Sequence, residues 1–179
     1  MDPDIRRRVT VLFGISAAIF GIAALLGYVT VDGSTVSGGS SAMSLGLANI
    51  FVNNTVVFSL ILLGGATFGI SGIFFLFTTS AALGAGIRTA VLAGFDAPTI
   101  VLLVVPHAIL ELPAFFIAAA IGFDVAWRIT SYLRGVRSKP MCRERAWEYA
   151  TVVVIGYVAL ALAAVIESTV TRQIANSVS

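Results

Sequence analysis

TIVLLVVPHAILELPAFFIAAAIG, residues Thr99 to Gly122, is 24 residues long and almost wholly apolar. About 20 apolar residues in a helix cross the hydrocarbon core of a bilayer, so this stretch reads as a transmembrane helix. Near its middle it carries His107 and Glu111, bracketed by Pro106 and Pro113. An ionisable group at that depth is costly and marks a candidate for packing or function. Four residues apart, His107 and Glu111 share one helix face. The two prolines read as helix breaks, because each leaves the carbonyl four residues earlier without its N–H partner.

The rest of the chain is of the same kind. Of its 179 residues, 58% are hydrophobic and 11% charged, against roughly a quarter charged in soluble domains. The fold class is therefore all-α: a polytopic membrane bundle forming a single integral domain over residues 1–179. Val9–Val31 is the first apolar run, longer than the ~7–15 residues of a secretory core and so a signal anchor. Asp32–Ser44, rich in glycine and serine, reads as a flexible linker. Leu45–Asn54 reads as a short interfacial helix, with Asn53 and Asn54 placed to cap the following span. Residues 55–94 amount to about two spans. With Thr78, Thr79 and Ser80 as the turn, they divide into helices over 55–77 and 81–95; the alternative is one helix followed by a re-entrant or cytoplasmic segment. The next span covers 99–122, and the last covers 147–167.

Charge decides the number of crossings. The basic residues fall mainly in Arg6–Arg8 and in the segment 123–146, which holds Arg128, Arg134, Arg137, Lys139, Arg143 and Arg145. Short basic segments stay in the cytoplasm. Five spans put both clusters on that side; four, the alternative, would put the densest one outside. The expected arrangement is a multi-pass protein of the cell membrane, its N-terminus cytoplasmic and its C-terminus outside. Within 123–146, Phe123–Val136 reads as a surface helix. In this arrangement residues 81–95 place Arg88 near the bilayer midplane, where Glu111 is its natural partner and His107 a neighbour.

The inventory also excludes chemistry. One His and one Cys are too few for a zinc site, which takes three or four protein ligands. No serine stands in a nucleophile setting, and Asp96 lies at a turn between spans. The expectation is a protein with no catalytic residues, no metal and no cofactor. No basic aromatic platform points to nucleic acid. Glu167 reads as a solvated helix end. Small residues at Gly14, Ala18 and Gly21, at Gly65 and Gly69, at Gly84 and Gly86, at Ala90 and Gly94, and at Ala114, Ala118 and Gly122 favour close helix packing. Most of this serves packing within the chain, and a homodimer face is the alternative use.

Three segments, Asn49–Asn54 (NIFVNN), the glycine-rich Gly64–Gly94 and Pro106–Ala114 (PHAILELPA), resemble the stage II sporulation protein M family. The likeness spans about Leu45 to Gly122. It departs at Ala108, where the family usually has glycine. Asn53, Asn54, His107 and Glu111 are the positions that match its pattern; Arg88 is not among them and rests on charge alone. The resemblance implies a membrane scaffold that holds other membrane or cell-surface proteins and is not itself a hydrolase. The alternative from the residues is a small transporter or channel-like component built on Arg88, His107 and Glu111.

Overall fold

The structure, a computed structural model, describes residues 3–32, 47–171 and 173. Every regular element among them is helical: α1 Pro3–Thr30, α2 Leu47–Leu62, α3 Ile70–Leu92, α4 Ala97–Leu133 and α5 Arg143–Ile166. A 3₁₀ turn at Leu63–Gly65 follows α2, and a π-helical turn at Glu167–Thr171 extends α5. Five helices are long and apolar enough to cross a membrane, as the positive charges require. The expected linker lies outside the described residues except for Asp32.

The helices begin and end elsewhere than expected between residues 55 and 95. Thr78, Thr79 and Ser80 lie inside α3, because hydroxyls do not force a turn when they bond back along their own helix. Thr78 Oγ1 donates to the Phe74 carbonyl at 3.0 Å, and Ser80 Oγ donates to that of Leu76. The chain reverses instead at Leu63–Gly69. There Phe68 and Gly69 take φ of 53° and 93°, a left-handed region open to glycine at little cost. The Gly69 N–H closes the turn on the Gly64 carbonyl at 2.7 Å. Gly69 thus shapes a hairpin, while Gly65 also lets the turn approach α4, where an added Cβ would meet Val125 at 2.9 Å. Ser71 Oγ donates to the Leu60 carbonyl at 3.1 Å and ties the two arms together.

α4 is the hub. It touches all four other helices and supplies four of the nine buried residues of the apolar core, Ala114, Phe115, Ala118 and Ala119. At 37 residues it is about 55 Å long, well beyond the ~30 Å hydrocarbon core. Phe123–Leu133 is thus the protruding end of α4, not a separate surface helix. Pro106 and Pro113 do not break it: the α-helix runs through both, since each proline removes only one hydrogen bond and membrane helices tolerate the loss. Phe13 and Phe20 of α1 meet Phe116 edge-on, with centroids 5.4 and 5.3 Å apart.

α1 packs beside α3, not beside its sequence neighbour α2. The closest approach uses two glycines. A Cβ on Gly27 would strike the Ala81 carbonyl, and one on Gly84 would strike the Ala24 carbonyl. Gly86 has open space where its side chain would be. Large apolar side chains such as Ile22, Leu25, Ile70, Ile109 and Val154 point outward, as lipid-facing residues do.

Candidate functional site

The polar residues of the opening stretch meet partners on two other elements. Asn54, buried in α2, donates from Nδ2 to Glu111 Oε1 of α4. Asn53 Nδ2 donates to Asn54 Oδ1 at 3.3 Å. Neither asparagine caps a span, because α2 begins at Leu47 and both fall within it. Starting there puts Asn54 two turns into the helix, level with Glu111. The half-buried His107 has an Nδ1 that is buried without a hydrogen-bond partner.

Glu167 is the third ionisable group at this place. Its charge acts on both His107 and Glu111, and the π-turn that carries it packs on α4 and α2. It is partly buried, so it does not stand as a solvated helix end. α5 does not stop at Ile166 but winds on through the wider π-turn, which brings residue 167 back onto the bundle. Two carboxylates, an imidazole and two carboxamides therefore converge where α2, α4 and the π-turn meet. Such a set can fasten helices together. It can also take up and hand on a proton.

Arg88 is elsewhere. Its Nε donates to the Val31 carbonyl at 3.4 Å and its guanidinium lies 5.3 Å from the Tyr28 ring centroid. The expected pairing with Glu111 fails because the turn lies at 63–69. With α3 starting at Ile70, Arg88 falls near its C-terminal end, not at mid-membrane. There it reaches the end of α1, where carbonyls lack intrahelical donors and carry partial negative charge.

A second polar constellation was not foreseen as a site. Asp124 of α4 is 1% exposed and Arg128, one turn on, is 4% exposed. Arg128 Nε and the Tyr149 hydroxyl of α5 both donate to Asp124 Oδ2, the latter at 2.6 Å. Arg8 of α1 lies 3.8 Å from Asp124 Oδ1 and 5.9 Å from the Trp127 ring centroid. Three helices are thereby joined by one carboxylate at the basic end of the bundle. The Asp124–Arg128 spacing was a legible signal, since acidic and basic residues four apart on a helix pair; Tyr149 and Arg8 come to it only through the tertiary fold.

At the other end Asp96 starts α4. Its carboxylate accepts from the Thr99 N–H at 3.1 Å, and those bonds from Thr99 hold its pKa below the usual carboxylate value.

The family model for stage II sporulation protein M matches residues 16–172. An uncharacterized protein of Methanocaldococcus jannaschii is 28% identical over 158 residues, which cover 88% of this chain and 89% of that protein. No solved structure gives a significant match.

Proposed function

The chain belongs to the stage II sporulation protein M family, and on that premise we propose that it is a non-enzymatic scaffold or subunit of a membrane assembly. The observation that carries this reading is how its intramembrane polar groups are spent. Glu111 binds α4 to α2 through Asn54. Ser59 binds α2 to α5 through the Tyr157 hydroxyl at 2.8 Å. Polar side chains between helices in a membrane hold them in register, which suits a rigid platform. Its partners are other membrane or cell-surface proteins, or a second copy of the chain. It sits in the cell membrane with the N-terminus in the cytoplasm and the basic segment on the same side.

Extraction from native membranes into lipid nanodiscs, followed by native mass spectrometry, tests the assembly. A complex of reproducible stoichiometry is expected; a chain that is always monomeric refutes it. Orientation is tested at Cys142, the exposed and single cysteine. A membrane-impermeant thiol reagent should label it only after cells are opened, and labelling of intact cells reverses the topology.

One observation favours a second reading, a small transporter or channel-like component. His107 Nδ1 is buried without a partner beside two carboxylates. On this reading, liposomes holding the protein pass protons or cations at a rate that Glu111→Gln abolishes. Flux equal to that of empty liposomes eliminates it.

A further inference from the structure

At the basic end of the bundle a cavity of about 730 Å³ opens between α1, α4 and the approach to α5. Arg7, Arg8, Arg128, Arg137 and Arg145 line it, with Asp124 as the single carboxylate. Five guanidiniums against one carboxylate leave a net of four positive charges. Asp124 serves Arg128 and Tyr149 through Oδ2 and Arg8 through Oδ1, so this one carboxylate balances only one of the five cations. Arg145 Nε is buried and has no hydrogen-bond partner. A buried donor left unmet is costly and needs an acceptor. Guanidiniums recognise phosphate by paired hydrogen bonds.

The remaining walls are apolar. Val11, Leu12, Phe123 and Trp127 complete the lining. Val11 and Trp127 are more than half exposed, so this side of the cavity continues onto the lipid-facing surface of α1. A site with an arginine floor and an apolar side open to the bilayer matches a phosphate group that carries acyl or alkyl chains. We propose that this cleft binds the phosphate of an anionic lipid headgroup, with its chains lying along α1 past Val11. Bound there, the lipid joins α1, α4 and the segment 134–142 through their arginines and fixes the last of these against the bundle.

The test is lipid retention by the full-length protein in detergent, read by native mass spectrometry. Phosphatidylglycerol, phosphatidylcholine and inorganic phosphate are the added probes. Retention of one phosphatidylglycerol in preference to phosphatidylcholine is expected. The pair Arg137→Gln with Arg145→Gln should weaken it roughly thirtyfold, from the contribution of each basic residue beside an anionic headgroup. Both arginines are partly exposed, so the variant keeps the buried Asp124–Arg128–Tyr149 contacts. The pair Arg134→Gln with Lys139→Gln removes equal charge nearby, at residues outside the cleft lining, and should change retention less than threefold. Equal loss in both pairs, or no preference between the lipids, overturns the proposal. Displacement of phosphatidylglycerol by millimolar inorganic phosphate, with no headgroup preference remaining, assigns the cleft to a soluble phosphate and overturns the lipid assignment.

Discussion

Adding one methyl group at Gly84 and one at Gly86 should have opposite effects, although both glycines lie on α3 two residues apart. At Gly84 the new Cβ meets the Ala24 carbonyl carbon and the Tyr28 nitrogen, at 2.7 and 2.9 Å. These are backbone atoms and cannot rotate aside, so α1 and α3 must separate. Overpacking of this kind costs about 1–3 kcal/mol; a rigid neighbour puts Gly84→Ala near the top of that range. Replacing a helical glycine by alanine returns about 0.5–1 kcal/mol through backbone entropy. The net loss is about 2 kcal/mol, close to a thirtyfold shift in the unfolding equilibrium. At Gly86 a Cβ meets nothing within 4 Å, so only the favourable part remains and Gly86→Ala should gain about 0.5–1 kcal/mol. Reversible unfolding in mixed micelles, followed by tryptophan fluorescence, measures both variants. Equal destabilisation, or a neutral Gly84→Ala, would refute the close α1–α3 seam and with it the placement of α1.

Asn54→Ala and Glu111→Ala should be non-additive by about 0.6–1.7 kcal/mol, the range for hydrogen bonds between membrane helices. Arg88→Leu combined with Glu111→Ala should be additive within ~0.5 kcal/mol, as for separated sites; coupling there would restore the discarded Arg88–Glu111 pair. Asp124→Ala should cost about 3–5 kcal/mol because it strands a buried guanidinium. Tyr149→Phe, which leaves Asp124 paired with Arg128, should cost about 1–2 kcal/mol; equal losses in the two variants would mean that the carboxylate is not the hub. Asp96 has a depressed folded-state pKa, so its capping contribution is complete above the ordinary carboxylate pKa and disappears as pH falls through the depressed one. Hydrogen exchange at the Thr99 amide should stay flat near neutral pH, after correction for intrinsic rates, and accelerate in acid. Asp96→Asn, still a cap, should abolish the acid response, and persistence of that response would rule out Asp96 as its source.

Composition made the membrane class legible, and counting arginines made the number of crossings legible, because both depend on one-dimensional sums. The position of the turn between α2 and α3 was harder to see. Thr78–Ser80 and Gly64–Gly69 each have the residue types of a turn. What separates them is geometry: hydroxyls can bond back along a helix, whereas the reversal at Phe68 and Gly69 needs positive φ. That single displacement carried Arg88 from mid-membrane to the end of α3. His107, Glu111, Asn53 and Asn54 were visible as polar residues in apolar surroundings, and Asn54 and Glu111 do meet. Glu167 was read by its position near the end of an apolar run, which gives no sign of a π-turn. Asp124 was overlooked because Phe123–Val136 was read as a surface helix, where an i,i+4 pair is solvated, and its partners Tyr149 and Arg8 come from distant parts of the chain.

The neighbour relation of α1 also fixes an order of construction. Gly27 and Gly84 touch backbone carbonyls on opposite helices, so α1 enters the membrane with its mating surface uncovered. α2 follows in the chain but cannot fill that surface; it folds back on α3 through the glycine turn. Only the finished α2–α3 hairpin can seat on α1, and α4 then closes over both. Until synthesis passes Ala81 and Gly84, the first helix is an unfinished joint held in lipid.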